Sequence, residues 1–205
     1  MSAPRIAVVK TGLANLASVL AGLRRAGAEP FATEEPSEVA AASHVMLPGV
    51  GAFGAAMETL NARGLTAVLR ERVAGGRPTM AICLGLQLLA KESEETPGIE
   101  GLACIDKSIG RLPDGVRVPQ LGWNHVEPVA GCRLLRPGFA YFANSYCLPA
   151  APEGWSPAYV EHGIRFVAAM EKGSLLACQF HPELSGAWGL SLLKRWLGTA
   201  TGEDA

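Results

Sequence analysis

The chain has 205 residues, enough to bury the core of one domain of ordinary size. Its 18 Lys and Arg residues against 19 Asp and Glu residues give a net charge of −1, which argues against broad electrostatic binding to nucleic acid or to an anionic membrane surface. A hydrophobic fraction of 49% with only 18% charged residues argues against disorder, and no apolar run approaches the roughly 20 residues of a membrane span.

The N-terminal half alternates strand-like and helix-like segments. The predicted strands are residues 5–9, 45–47 and 78–82. The predicted helices are residues 14–26 (with Gly27 at the position of a C-cap), 52–61, 65–74 and 83–91. This alternation at short intervals predicts a mostly parallel sheet with helices on both faces.

The C-terminal half differs in composition. Residues 110–178 are rich in Gly and Pro and contain short apolar runs at 139–143, 166–170 and 175–180, which predicts antiparallel strands added to the sheet. An amphipathic helix is predicted over 184–197, with Leu190, Leu193 and Leu197 on its apolar face, and residues 198–205 are expected to fray. Neither a repeat nor a linker is evident, so one domain is predicted over 1–205, with an ordered core of about 5–197.

Signals for secretion, metals and cofactors are weak throughout. The first residues lead directly into a strand-like run, without the features of a signal peptide. The number of cysteines is odd, at five, and they contain no CxxC pair. His44, His125 and His162 lack the spacing of metal ligands. The sequence also has neither a phosphate-binding loop nor a dinucleotide fingerprint. We therefore expect a soluble, cytoplasmic protein with no metal and no cofactor.

The segment around Cys83 has the pattern of a nucleophile elbow. An apolar strand leads into Cys83, Gly85 follows two residues later, and a helical stretch comes next. A thiol at a helix N-terminus lies at the positive end of the helix dipole, which favours the thiolate. The usual first glycine of the pattern is Ala81 here, and a buried structural cysteine is the alternative.

A second candidate lies at His181-Pro182-Glu183. The proline favours an extended His181, so that the side chains of residues 181 and 183 can lie on the same side of the chain. The carboxylate can then hold one imidazole nitrogen and leave the other as a base. A surface His and Glu near a helix start is the alternative, but Cys, His and carboxylate together form a complete set for covalent acyl transfer.

Two further segments are less specific. Pro48-Gly49-Val50-Gly51 follows the second predicted strand, where glycines can turn backbone N–H groups toward an oxyanion or can simply form a tight turn. The aromatic alternation over residues 141–146 is most often a sign of core packing.

Together these residues resemble the class I (triad-type) glutamine amidotransferases and, within them, the glutaminase subunits of imidazole glycerol phosphate synthase. The shared motifs are PGVGAFG at 48–54, ICLGLQLL at 82–89, ESEE at 92–95, LGWN at 121–124, YFANSY at 141–146 (through its YF and SY) and QFHPE at 179–183. The match covers residues 5–197, and the six motifs in this order are highly specific. The resemblance implies a flavodoxin-like α/β fold with an added antiparallel portion.

The resemblance also implies roles for named residues. Cys83 would attack the side-chain amide of glutamine, His181 would transfer the proton to ammonia, and Glu183 would orient His181. The backbone N–H groups of Val50 and Leu84 would form the oxyanion hole. The positions that match those around bound glutamine are Gly49, Gly51, Gln87, Glu95, Ser145 and Tyr146, with Glu95 suited to the α-amino group.

The family passes its ammonia to a partner. The resemblance implies a heterodimer with a (β/α)₈-barrel cyclase, which uses ammonia to form imidazole glycerol phosphate and a carboxamide in histidine biosynthesis. This chain departs from the family pattern away from the triad, at Lys10, Thr11, Gln120, Asn144 and Leu184. These departures bear on docking and coupling rather than on hydrolysis.

Three alternatives remain at the level of sequence. One is a diverged amidotransferase that serves another acceptor enzyme. A second is a cysteine hydrolase that acts alone, such as a peptidase or a γ-glutamyl hydrolase. The third is an inactive scaffold, against which the intact triad argues.

Overall fold

A computed structural model describes residues 3–11 and 15–198. The strands are Arg5–Val9 (β1), Glu29–Thr33 (β2), His44–Gly49 (β3), Thr79–Cys83 (β4), Glu92–Ser93 (β5), Ser108–Arg111 (β6), Gln120–Pro128 (β7), Gly138–Asn144 (β8), Tyr146–Cys147 (β9), Ser156–His162 (β10), Ile164–Lys172 (β11) and Leu175–Cys178 (β12). The helices are Leu16–Arg25 (α1), Pro36–Ala41 (α2), Phe53–Ala62 (α3), Leu65–Ala74 (α4), Leu84–Leu88 (α5) and Gly186–Leu197 (α6), and Pro182–Leu184 forms a 3₁₀ turn.

The main sheet combines a parallel and an antiparallel part. Within the described residues it has nine strands in the order β2-β1-β3-β4-β12-β11-β10-β7-β8. The four pairings from β2 to β12 are parallel. The four pairings from β12 to β8 are antiparallel. The prediction of a parallel N-terminal half with added antiparallel strands is therefore confirmed. A smaller sheet contains β5, β6 and β9.

The core lies in two layers, one on each face of the main sheet. Because side chains alternate along a strand, Ile6 and Val8 of β1 face one layer, and Ala7 and Val9 face the other. The first layer is covered by α1 and α6, and the second by α2, α3, α4 and α5. Helices thus lie on both faces, as predicted.

Most predicted elements are found within one or two residues of their expected bounds. β1 and α4 have the predicted bounds, and β3 and β4 extend to Gly49 and Cys83. The helix expected over 14–26 spans Leu16–Arg25 among the described residues, and Gly27 follows it with a φ of +91°. Residue 14 and the tail 199–205, where fraying was expected, lie outside the described residues.

Among the described elements up to β4, two were not predicted, namely β2 and α2. Strand β2 is a sheet edge that contains Pro30 and buries only Thr33, so it lacks an apolar run. Helix α2 has six residues beginning at Pro36, which is too short to show a helical period.

The predicted C-terminal end of the helix over 83–91 is wrong, because α5 ends at Leu88. The carbonyls of residues 88–91 accept hydrogen bonds from the N–H groups of residues 101–105 at 2.8–3.1 Å. A distant segment therefore satisfies the carbonyls that would otherwise continue the helix.

The C-terminal helix begins at Gly186, two residues later than predicted, because residues 182–184 form the 3₁₀ turn. Its close approach to that turn needs Gly189, where a Cβ would lie 2.1 Å from the Pro182 carbonyl oxygen. None of the helices among residues 3–11 and 15–198 combines the length and the apolar character needed to cross a bilayer.

Candidate active site

Cys83 lies at the carboxyl end of β4, directly before α5. Its φ of +55° and ψ of −112° are rare for a residue with a side chain and are typical of the sharp turn at a nucleophile elbow. The turn depends on Gly85, where a Cβ would lie 2.0 Å from the Leu47 carbonyl oxygen of β3. The chain therefore holds a strained backbone that presents the thiol at the edge of the sheet.

His181 follows β12, which pairs in parallel with β4 and so ends at the same edge of the sheet. The backbone N–H of His181 donates to the Tyr141 carbonyl oxygen at 2.9 Å. The Ser185 hydroxyl donates to the His181 carbonyl at 2.6 Å and accepts from the Tyr141 N–H at 3.0 Å. These bonds fix the backbone of His181 to β8.

The imidazole of His181 is held by Glu183. Nδ1 lies 2.9 Å from Glu183 Oε1, and both side chains are buried. Burial lowers the pKa of His181, but hydrogen bonds to Cys83 and Glu183 and their negative charges outweigh that effect and raise the pKa to about 10. Because Nδ1 faces Glu183, Nε2 is the nitrogen left for Cys83. The arrangement is that of a cysteine nucleophile beside a protonated imidazole.

A cavity of about 290 Å³ opens over Cys83. Its lining consists of Val50, Gly51, Cys83, Leu84, Gln87, Glu95, Ala143, Asn144, Ser145, Tyr146 and His181. The structure thus brings together every residue that the sequence assigned to the site, except that Glu183 lies behind His181 and Gly49 lies beneath the loop. The YFANSY segment, for which core packing was the favoured interpretation, contributes four of these residues.

The loop after β3 lies against the elbow. Gly49 pairs with Cys83 in the sheet register, and a Cβ on Gly49 would lie 2.8 Å from Leu84 Cβ. Gly51 has a φ of +103°, a conformation that glycine adopts readily. The loop therefore begins in contact with α5, and Val50 and Leu84 both line the cavity. The oxyanion hole formed by their N–H groups remains a prediction.

Glu95 has a second task that the sequence did not reveal. Its Oε2 accepts a hydrogen bond from the N–H of Phe53, the first residue of α3, at 2.6 Å. The carboxylate thus satisfies a backbone donor at a helix N-terminus while it lines the cavity.

Gln179 was not assigned a role from the sequence, although it is the first residue of QFHPE. It is fully buried, and its Oε1 accepts from Gln87 Nε2 at 3.1 Å. Its Nε2 lies 3.7 Å from Cys83 Sγ, within the range of an N–H···S hydrogen bond. The only sequence signal for this contact is the position of Gln179 in QFHPE, two residues before His181.

The departures from the family pattern occupy three places. Thr11 donates to the Pro48 carbonyl oxygen at 3.1 Å, and Lys10 forms an ion pair with Glu34 at 3.1 Å. Gln120 of β7 and Asn144 of β8 are cross-strand partners and are both buried, and Asn144 reaches the cavity. Leu184 is exposed.

Metal ligation was not expected from the sequence. Within residues 3–11 and 15–198, the His, Cys, Asp and Glu side chains form no group of three that could hold a metal ion.

Comparison with known proteins places this geometry in context. Residues 23–197 match the family model of the class-I glutamine amidotransferases. The imidazole glycerol phosphate synthase subunit HisH of Symbiobacterium thermophilum is 41% identical over 196 residues, which cover 94% of this chain and 92% of that protein. The subunit HisH of Escherichia coli K12 is 40% identical over 197 residues, which cover 94% of this chain and 98% of that protein.

Solved structures agree on the fold. A crystal structure of a glutamine amidotransferase superposes with a TM-score of 0.72 at 22% identity, covering 92% of this chain and 98% of that one. The structure of PurLQS from Thermotoga maritima gives a TM-score of 0.70 at 14% identity, with 96% and 98% coverage. At these identities the likeness concerns the fold alone.

Proposed function

The chain belongs to the class-I glutamine amidotransferases and, within them, to the HisH subunits of imidazole glycerol phosphate synthase, and on that premise we propose that Cys83 releases ammonia from glutamine for a second subunit of that enzyme. The chain is therefore an enzyme of histidine biosynthesis. The observation that carries the assignment to named residues is the strained Cys83 in one cavity with His181, whose Nδ1 lies 2.9 Å from Glu183.

The reaction follows from this arrangement. The Cys83 thiolate attacks the side-chain amide carbon of glutamine, and the carbonyl electrons move onto oxygen. The tetrahedral intermediate collapses as His181 gives its Nε2 proton to the departing nitrogen, which leaves ammonia and a glutamyl thioester. Neutral His181 then takes a proton from water, whose oxygen attacks the thioester and releases glutamate and the thiolate. Glu183 holds the imidazole in the orientation that both steps need.

The other lining residues would bind and polarise glutamine. The N–H groups of Val50 and Leu84 would hold the developing oxyanion, which is usually a large contribution to such catalysis. Glu95 would bind the α-amino group, because its carboxylate lies in the cavity. Gly49 and Gly51 shape the loop, while Gln87, Ser145 and Tyr146 complete the pocket for the substrate.

Ammonia must reach the acceptor without entering bulk water, where it would be protonated. We expect the acceptor enzyme to be a (β/α)₈-barrel cyclase that forms a heterodimer with this chain. Support for a docking site comes from the outer face of the β7–β8 hairpin, where Leu121, Trp123 and Phe139 are 57–61% exposed. Exposed apolar patches of this kind mark interaction surfaces.

The exposed hairpin face adjoins the cavity. Leu121 pairs across the hairpin with Ala143, whose carbonyl oxygen lies 3.9 Å from Cys83 Sγ. Trp123 packs edge-on against Tyr141, and Leu184 is exposed just after the triad glutamate. A partner seated on these side chains would cover the site where ammonia is released. We call Leu121, Trp123 and Phe139 the hairpin face.

We further propose that residues 1–205 act as one glutamine amidotransferase domain and that the protein works in the cytoplasm. The family match over 23–197 supports the first proposal. The second is supported by the five cysteines, all of which are free, as expected in a reducing compartment.

The test is glutamate release from glutamine by the chain alone and with the cyclase of its own organism and that cyclase's ribulosyl substrate. We expect low activity alone, a rise of orders of magnitude in the full mixture, and complete loss in Cys83→Ala. Circular dichroism and binding of the cyclase should be unchanged in that variant, since the substitution only removes one sulfur atom.

The alternatives give different results. Strong activity without the partner would identify a hydrolase that acts alone. A folded protein that binds the cyclase but releases no glutamate would be a scaffold. A chain that hydrolyses glutamine but neither binds nor is activated by the cyclase would serve another acceptor.

A further inference from the structure

We propose that Gln179 is a positioning residue for the nucleophile, donating a hydrogen bond from Nε2 to the thiolate of Cys83. The proposal rests on the function assigned to Cys83 above and adds a residue to it. Gln179 has no solvent exposure, and its Nε2 lies 3.7 Å from Sγ. A buried amide N–H that points at a sulfur atom stabilises the negative charge of the thiolate.

The orientation of the Gln179 amide is fixed by its neighbours. Gln87 Nε2 lies 3.1 Å from the Tyr146 carbonyl oxygen, an atom that can only accept. That contact identifies the atom of Gln87 as its NH₂ group, which also lies 3.1 Å from the Gln179 side chain. The atom of Gln179 facing Gln87 must therefore be its oxygen, and the atom facing Cys83 must be its NH₂ group.

The same bonds connect the substrate pocket with the nucleophile. Both hydrogens of the Gln87 NH₂ group are used, on Tyr146 and on Gln179, so that only Oε1 of Gln87 is left to accept from a ligand in the cavity. The backbone of Gln179 is held as well, because its N–H donates to the Ala168 carbonyl oxygen at 2.8 Å. Gln179 thus has little freedom to turn away from Sγ.

Two groups stabilise a negative charge on Sγ. His181 contributes a positive charge, and Gln179, the residue directly after β12, contributes an uncharged donor. A neutral donor stabilises the thiolate without supplying a proton that could neutralise it. Loss of this donor therefore raises the pH at which Cys83 becomes reactive.

The test is the rate of alkylation of Cys83 by iodoacetamide between pH 4 and pH 9. Mass spectrometry can follow the tryptic peptide that ends at Lys91, in which Cys83 is the one cysteine. We expect Gln179→Met, which keeps the length of the side chain and removes the donor, to raise the pH midpoint by about one unit. Below the midpoint, alkylation should be about tenfold slower than in the parent chain.

The matched control is Gln120→Met, the same change at another buried glutamine, which should leave the midpoint unchanged. If Gln179→Met does not fold, as judged by circular dichroism, Gln179→Asn withdraws the amide from Sγ and should raise the midpoint in the same direction. A folded Gln179 variant with the parent midpoint would overturn the proposal. Alkylation needs neither glutamine nor a partner, so failure of the proposed function would leave this result interpretable.

Discussion

At the scale of the residue, the proposed chemistry depends on the charge of one imidazole. His181 is buried, which by itself disfavours the protonated form, yet Cys83 and Glu183 raise its pKa to about 10. The imidazole is therefore protonated at neutral pH and can give its proton to departing ammonia. Glu183 matters for this charge as well as for the orientation of the ring.

We expect Glu183→Gln to lower kcat for glutamine hydrolysis on the order of 10³-fold, because an amide neither holds the ring in one tautomer nor stabilises the imidazolium. The pKa of His181 should fall in this variant, so activity should be lost at a lower pH on the alkaline side. The pH profile of kcat/KM checks both expectations. A profile with the parent's alkaline limit would show that Glu183 does not set the charge of His181.

The raised pKa of His181 also predicts how stability depends on pH. The folded-state value of about 10 lies above the ordinary value of 6.5, so protonation stabilises the folded chain fully below pH 6.5. This contribution is lost as the pH rises toward 10. Urea unfolding at pH 6, 8 and 10 should show the stability advantage of the parent over His181→Gln shrinking with pH. A constant difference would contradict the assignment.

At the scale of the element, the approach of α5 to β3 fixes the elbow. Helix α5 has only five residues and could not form on its own, so its position depends on contacts with the neighbouring strand. Gly85 permits that contact, since it has no side chain to meet Leu47. The catalytic backbone is thus set by packing between two elements.

We expect Gly85→Ala to destabilise the fold by at least about 3 kcal/mol, because its Cβ would meet the Leu47 carbonyl oxygen at 2.0 Å. Any folded fraction should also lose activity, since α5 must shift and carry Cys83 with it. Gly110→Ala is the matched control, because its Cβ would meet its nearest neighbour at an ordinary 3.7 Å. Equal melting temperatures for the two variants would disprove the packing argument.

At the scale of the whole molecule, the antiparallel part of the sheet extends the fold beyond the catalytic edge. The β7–β8 hairpin exposes the hairpin face on one side. Its strand β8 also contributes Ala143 and Asn144 to the lining of the cavity. The same two strands therefore serve the active site and the proposed partner interface. Buried Gln120 and Asn144 lie behind this face, where the chain departs from the family pattern.

We expect Trp123→Glu to weaken binding of the cyclase by about 30-fold or more, because it replaces a large exposed aromatic side chain with a charge in the proposed interface. Titration calorimetry with the purified cyclase measures the effect. Val129→Glu is the matched control, because Val129 is an exposed apolar residue directly after β7, and this variant should bind as the parent does. Equal affinity of Trp123→Glu and the parent would place the interface elsewhere.

The sequence by itself determined what depends on neighbours along the chain. Apolar runs and helix stops gave β1 and α4 with their observed bounds, and the strand–Cys–Gly pattern predicted the elbow, since each reflects burial or backbone geometry over a few residues. The six motifs then identified the family and assigned the triad. The short edge strand β2 and helix α2 were missed because neither carries an apolar period.

Only the tertiary structure decided which distant groups meet. Gln179 reaches Cys83 across 96 residues because β12 pairs in parallel with β4, a choice of strand neighbours that no local pattern contains. The early end of α5 likewise depends on hydrogen bonds from residues 101–105, and the exposed hairpin face depends on where β7 and β8 join the sheet. Local patterns report how each segment is buried, whereas contacts between segments are fixed by the packing of the whole chain.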